Sequence, residues 1–256
     1  GEGELDEAPM LYIGEKIGTN KGPEFDIAVD PLEGTNFAAN NLPGALSVIA
    51  IAEKNNLFKA PETYMEKIST KVNEKNVVDL DYTVKKNIYN LSDYLNKNPE
   101  NLTACILDRP RHKNIIEELK KLKVNLKLIT DGDVSGALLV TEDKHNVDIF
   151  LGTGGGPEGV LAAAALDTFG CSFQGRFIFN TYDDKVRAKK MGINDLTKKY
   201  ELNEIVSGDS IFCATGITSG DLVSGIKINE GYFTSETLVT HKSSGLKKII
   251  QLTKKI

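Results

Sequence analysis

Leu151-Gly152-Thr153-Gly154-Gly155-Gly156-Pro157-Glu158-Gly159 lies between an apolar run, 147–151, and an Ala-rich run, 157–166, that opens on proline. The first run has the pattern of a short strand, and the second starts as a helix does. Strand, glycine turn and helix therefore follow one another directly. Outward from this unit the same alternation continues, with strand patterns at 26–30, 46–52, 102–107, 126–130, 171–179 and 211–214. In 113–123, Ile115, Ile116, Leu119 and Leu122 share one face at helical spacing, with Lys and Glu on the other. Mixed α/β layers follow from this order, rather than a repeat array. From 221 to 246, Gly, Thr and β-branched residues predict an antiparallel closing meander. No low-complexity linker interrupts 1–256, so one domain of two closely packed lobes is expected.

A glycine-rich turn that feeds a helix N-terminus presents backbone N–H groups and the positive end of a dipole, which suits a phosphate. Gly154, Gly156 and Gly159 also satisfy the G-x-G-x-x-G spacing of dinucleotide sites, which makes a dinucleotide-binding oxidoreductase a reading of a different class. Glu158 weighs against it. A carboxylate in the turn repels a pyrophosphate but suits a cation held between protein and phosphate. Asp183 also lies too far along to serve as the ribose-binding acid.

Other stretches carry chemistry of the same kind. In Asp30-Pro31-Leu32-Glu33-Gly34-Thr35, Pro31 biases Asp30 to an extended conformation and starts a turn, so Asp30 and Glu33 can converge from one corner. Gly34 permits close approach of an anion, and the Thr35 hydroxyl can orient a water. An ordinary turn accounts for Pro and Gly but not for two acids and a threonine. Glu2, Glu4, Asp6 and Glu7 are interleaved with glycines; a solvated acidic turn and a hard-cation ligand both fit. Asp131-Gly132-Asp133-Val134-Ser135-Gly136 approaches an EF-hand loop by letter, yet follows a strand pattern and not a helix. A strand-end turn whose acids reach hydroxyl groups is expected instead. Arg109-Pro110-Arg111-His112 offers a two-arginine fork for a second phosphate, or simply two exposed cations at a helix entrance. His112 is read as a helix-entry residue.

Composition sets limits. The formal net charge is −5 and the lysines are dispersed, which argues against a sequence-independent grip on nucleic acid. No apolar run approaches the roughly 20 residues needed to span a bilayer, so no membrane partner is expected. Cys105, Cys171 and Cys213 are widely separated and set among small or apolar residues, as buried free thiols in a reducing, cytoplasmic compartment would be. His112, His145 and His241 lack zinc-ligand spacing, so any metal should be oxygen-bound. The chain opens on Gly1 directly before the acidic cluster, and an upstream segment is expected.

Taken together, GEGELDEAPMLYIGEK, DIAVDPLEGT, APETYMEK, RPRH, DGDVSGAL, GTGGGPEGV and ATGITSGDL resemble the class II, bacterial-type fructose-1,6-bisphosphatases, across essentially the whole chain. DPLEGT alone places the chain only in the wider superfamily of lithium-sensitive, metal-dependent sugar and inositol phosphatases. The resemblance implies a layered α-β-α-β-α sandwich, commonly oligomeric, here a dimer or tetramer. It implies divalent-metal-dependent hydrolysis of the 1-phosphate of fructose 1,6-bisphosphate, with Mn2+ or Mg2+ as cofactor. Close alternatives are a sedoheptulose-1,7-bisphosphatase, a dual-specificity enzyme and, further off, an inositol phosphatase. Carried over by motif, the metal ligands fall on Glu2, Asp30, Glu33 and Glu158, and the catalytic residues on Thr35, Glu33 and Asp30. Substrate contacts fall on Glu33, Gly34, Thr35, Tyr64, Arg109, Pro110, Arg111, Asp131, Gly132, Asp133 and Gly155. The family also has a helical region before GEGE, with a further acidic metal residue, which these residues do not include. Arg109 stands where lysine is usual. The stretch 180–191 is shorter than in typical members and is expected to be a trimmed surface connection.

Overall fold

The structure, a computed structural model, describes residues 11–256. Strand β1 (Phe25–Glu33) leads through helix α1 (Thr35–Ala39) into β2 (Leu46–Glu53) and β3 (Tyr64–Thr70). Helix α2 (Val84–Leu95), β4 (Thr103–Leu107), α3 (Lys113–Lys121), β5 (Asn125–Ile129) and α4 (Asp133–Leu138) follow. Then come β6 (Ile149–Gly155), α5 (Gly156–Phe169), β7 (Ser172–Ile178), α6 (Tyr182–Lys190), β8 (Lys199–Glu201) and α7 (Leu202–Ile205). Strands β9 (Ser210–Gly216), β10 (Lys227–Asn229), β11 (Tyr232–His241) and β12 (Leu246–Lys255) close the chain.

Among the described residues the strands form two six-stranded sheets. In the first, β1, β2, β9 and β11 lie side by side and antiparallel, while β10 and β12 also pair with β11. The second has the order β5-β4-β6-β3-β7-β8. Here β5, β4 and β6 run parallel, and β3, β7 and β8 continue the sheet antiparallel.

Helix α5 is why the sheets stack. Its residues Gly159 to Leu166 are all buried, because Val160, Leu161, the four alanines and Leu166 leave no polar face to turn towards water. The helix lies between the sheets, and its small side chains join Leu46, Val48, Ala50, Phe212 and Ala214 of the first to Met65, Phe150, Phe173 and Phe177 of the second in one core. A second core covers the opposite face of the second sheet, where Ile88 and Leu91 of α2 and Leu119 of α3 pack on Ile68, Ala104, Ile149 and Leu151. The described residues thus stack as sheet, helices, sheet, helices, a layered α/β fold as expected.

Several local expectations are corrected. Strand β3 was not legible because Glu66 and Lys67 break its apolar pattern, and α2 was hidden by its polar composition. The DGD turn opens helix α4, with Gly132 at φ 83° as its cap. Residues 180–191 connect β7 to β8 at the surface and hold a helix, α6, started by a capping box between Thr181 and Asp184. The closing meander does form, and runs on through β12. Cys105 and Cys171 are buried and Cys213 is half-buried, all as free thiols. Among the described residues no helix is long and apolar enough to cross a membrane.

Candidate active site

Parallel strands laid side by side bring their carboxyl ends to one edge of a sheet, where ligands of open α/β sheets bind. Here β4 ends in Arg109-Pro110-Arg111-His112, β5 in Asp131-Gly132-Asp133, and β6 in Gly154-Gly155 ahead of Glu158. Tyr64, the first residue of antiparallel β3, pairs with Gly155 and so joins the same edge. The fold gathers on one rim what the sequence scatters.

The first sheet supplies DPLEGT. The β1–β2 register shifts between Asp30 and Glu33, and the Asp30 carboxylate accepts the Leu32 N–H at 3.0 Å, which bends the strand end. Glu33 is only 3% exposed. Its Oε1 accepts the Val134 N–H at 2.7 Å, in the first turn of α4, and thereby ties the two sheets together. Gly34 turns the chain at φ 79°, and a Cβ there would stand 2.8 Å from the Phe37 ring, so glycine is required. Thr35 then opens α1 with its side chain exposed. The neighbouring Asn36 N–H donates to Asp131 at 3.1 Å.

The electrostatics are those of a site with too many acids. Burial pushes the Glu33 carboxyl up to about 8, against the Val134 hydrogen bond, and the charges of Asp133 and Asp30 raise it further. Glu33 Oε2, Asp133 Oδ1 and Glu158 Oε2 are buried carboxylate oxygens without a hydrogen-bond partner. Such atoms are costly unless a cation or donor completes them. The other Asp133 oxygen bonds to Lys67, a lysine only 1% exposed.

Glycines make room for these carboxylates. A Cβ on Gly154 would lie 2.0 Å from Asp133 Oδ2, and one on Gly155 would lie 1.7 Å from Glu158 Oε2. This also disposes of the dinucleotide reading. The protein's own acids already occupy the faces of Gly154 and Gly155, where a pyrophosphate would have to approach. Moreover β6 and β7 are not adjacent, because β3 runs antiparallel between them.

The arginines of the β4 edge are only partly free. Arg109 faces Asp131 at 3.7 Å. Arg111 lies over the Tyr64 ring, 4.9 Å from its centroid, and its Nε donates to the Thr153 carbonyl at 2.9 Å. Tyr64, 47% exposed, is therefore no core aromatic. Pro110 starts the tight turn that carries Arg111 there. Asp131 and Asp133 meet the Asn36 N–H, Arg109 and Lys67, not the hydroxyl groups the sequence suggested.

Of the four carboxylates carried over as metal ligands, Glu2 lies outside the described residues. Asp30 and Glu33 are close enough to disturb each other, whereas the Glu158 carboxyl packs against Gly155. Among the described residues no three acidic, histidine or cysteine side chains stand close enough together to hold an ion by themselves. The three orphaned oxygens nevertheless fit a hard, oxygen-liganded cation in charge and chemistry. Lys67 was missed in sequence, where it stands between Met65 and Ser69 on one strand face with no other signal. His112 does enter α3, as read, but it is also fully buried, which the sequence did not suggest.

A family model described as bacterial fructose-1,6-bisphosphatase, glpX-encoded, matches residues 1–254. A protein of Synechococcus sp. (strain JA-3-3Ab) is 40% identical over 95% of this chain and 78% of its own length. One from Prochlorococcus marinus (strain NATL1A) is 39% identical over 93% of this chain and 76% of its own length. A third, from Synechococcus elongatus (strain ATCC 33912 / PCC 7942 / FACHB-805), is 39% identical over 95% and 78%. All three carry the name D-fructose 1,6-bisphosphatase class 2/sedoheptulose 1,7-bisphosphatase.

Proposed function

Because the chain belongs to the bacterial, glpX-encoded fructose-1,6-bisphosphatase family, we propose that it removes the 1-phosphate of fructose 1,6-bisphosphate, giving fructose 6-phosphate and phosphate. The observation that carries this reading is the set of buried, unpartnered carboxylate oxygens on Glu33, Asp133 and Glu158, at the rim where the glycine turn meets the two arginines. Family membership brings a divalent-metal requirement, and the all-oxygen donor set favours manganese or magnesium. Asp30, Glu33 and Glu158 would hold the metal, together with Glu2. Bound there, a divalent cation supplies Lewis-acid neutralisation of phosphate charge and lowers the pKa of a coordinated water.

The chain's own groups do the rest. Backbone N–H groups at Gly34 and Gly155 orient the phosphate that reacts, although the space beside Gly155 that a Cβ would take is filled by the Glu158 carboxylate. The exposed Thr35 hydroxyl, beside Glu33, holds the attacking water in line. Arg111, steadied by Tyr64 and Thr153, and Arg109, poised against Asp131, take the distal phosphate and fix the sugar between them. Since the relatives' names also carry sedoheptulose 1,7-bisphosphate, we extend the reading to that substrate, which has the same two terminal phosphates on a longer sugar. A soluble, cytoplasmic homo-oligomer is the setting we propose.

Phosphate release from fructose 1,6-bisphosphate, with and without manganese, tests the reading. Thr35→Ala should lower kcat about 100-fold or more and change KM little. An unchanged kcat removes Thr35 from the chemistry, and no metal-dependent release from either bisphosphate removes the function.

A further inference from the structure

His112 is 0% exposed and takes no part in the chemistry proposed above. Its Nδ1 lies 2.7 Å from the Leu107 carbonyl at the end of β4, and its Nε2 lies 2.7 Å from the Thr153 nitrogen in β6. A ring held between a carbonyl and an N–H has one state that satisfies both. It is neutral, with Nδ1–H donating to Leu107 and Nε2 accepting from Thr153. Burial likewise holds its pKa below the ordinary histidine value.

The position of this bond matters. Parallel strands β4 and β6 pair only at Ala104–Ile149 and Cys105–Phe150. Beyond Phe150 the β4-facing edge of β6 has lost its strand neighbour, although its backbone groups still need partners. At Thr153 the side chains of the turn after β4 supply them: His112 takes the N–H, and Arg111 Nε donates to the C=O at 2.9 Å. Gly152 is the gap through which the ring reaches the strand, since a Cβ there would stand 3.1 Å from both Cε1 and Nε2. Two residues after Thr153 comes Gly155, paired with the Tyr64 on which Arg111 rests.

We propose that His112 is a positioning residue that continues the β4–β6 ladder with its side chain and so fixes the spacing between two phosphate seats, the arginine turn and the glycine turn. This rests on the bisphosphatase reading above. A ring in this role matters for a substrate that spans both seats and little for one that uses only the glycine turn.

The test compares His112→Asn, His112→Gln and, as a control, Arg111→Met in the full chain with manganese. Each is assayed on fructose 1,6-bisphosphate and on fructose 1-phosphate. Asn keeps a donor near Nδ1 but offers nothing to Thr153, whereas Gln can place an oxygen near Nε2. Loss of one acceptor for a buried N–H predicts that His112→Asn raises KM for the bisphosphate about tenfold, with kcat within about threefold and the monophosphate KM unmoved. His112→Gln should recover most of that loss. If Arg111→Met shows the split between substrates and His112→Asn does not, or if His112→Asn harms both equally, the positioning role is overturned. If Arg111→Met itself shows no split, the bisphosphate reading of the arginines fails first. Should His112→Asn not fold, the 15N resonances of the wild-type ring decide. Fructose 6-phosphate, which bears only the distal phosphate, should shift the His112 Nε2 signal, and an unmoved signal overturns the role.

Discussion

Lys67 shows how a single side chain can be set by its surroundings. It lies in β3, on the face that Met65 also turns towards α5, and a Cβ on Gly159 would stand 2.5 Å from Met65 Sδ and 3.2 Å from Lys67 Cε. The glycine that looked like part of a nucleotide fingerprint is thus a recess for two side chains of the neighbouring strand. A buried ammonium needs a counter-charge, and Asp133 provides it. Removing one partner of such a pair leaves the other charge buried alone, at a cost of about 3–5 kcal/mol. Lys67→Met should therefore lower Tm by roughly 10 °C. Adding Asp133→Asn to it should recover much of the loss, whereas equal melting of Lys67→Met and wild type would show that the pair contributes nothing net.

At the scale of elements, the β11–β12 hairpin is half in the core and half out, with Leu238 of β11 buried in the core and every residue of β12 exposed. What fastens its turn is Asp209, just before β9. Its carboxylate accepts from Ser243 Oγ at 2.8 Å and the Ser243 N–H at 2.9 Å, and pairs with His241 Nε2 at 2.9 Å. Burial works to raise this carboxyl, but the bonds from Ser243 and His241 outweigh it and hold it down at about 2. A carboxyl whose folded pKa lies below its unfolded value of 3.8 stabilises the fold above that value, and the contribution is lost as pH falls through the folded pKa. Asp209→Asn should melt below wild type at neutral pH, and the gap should narrow between about pH 4 and 2 in matched thermal scans. A gap that stays constant down to pH 2 would show that the ionised carboxylate is not what holds the turn. Lys247, Lys248, Lys254 and Lys255 along β12 are the kind of charge that discourages another strand from pairing with an open edge.

At the scale of the whole molecule, the candidate site is where two sheets meet, so a metal bound there as proposed would link binding to folding. Glu33 comes from the first sheet, Asp133 and Glu158 from the rim of the second, and their buried, unpartnered oxygens oppose the fold. Manganese at about 100 times its Kd should stabilise by roughly 2.7 kcal/mol and raise Tm by several degrees. Glu33→Gln should weaken that response. Without metal it should do the reverse and stabilise: with a folded pKa of about 8, Glu33 contributes no penalty below about pH 4.5 and an increasing one up to pH 8. Scans in chelator at pH 8 should show the variant melting higher, with the advantage vanishing near pH 4.5. Equal melting at pH 8 would remove the buried charge from the argument. The sequence by itself determined the α/β class, most strands, the start of α5 and the glycine turn before it, because strand period, proline starts and glycine turns are local properties of the chain. It also yielded Asp30, Glu33, Arg109, Arg111 and Glu158 as residues of interest, since acids and arginines beside turns are conspicuous. Tertiary structure alone decided that Gly154 and Gly155 face carboxylates, that Lys67 neutralises Asp133, and that His112 completes a strand edge. Apart from Gly155 and Glu158, those are contacts between residues far apart in the chain, and only the sheet order β5-β4-β6-β3, which no local pattern encodes, brings them together.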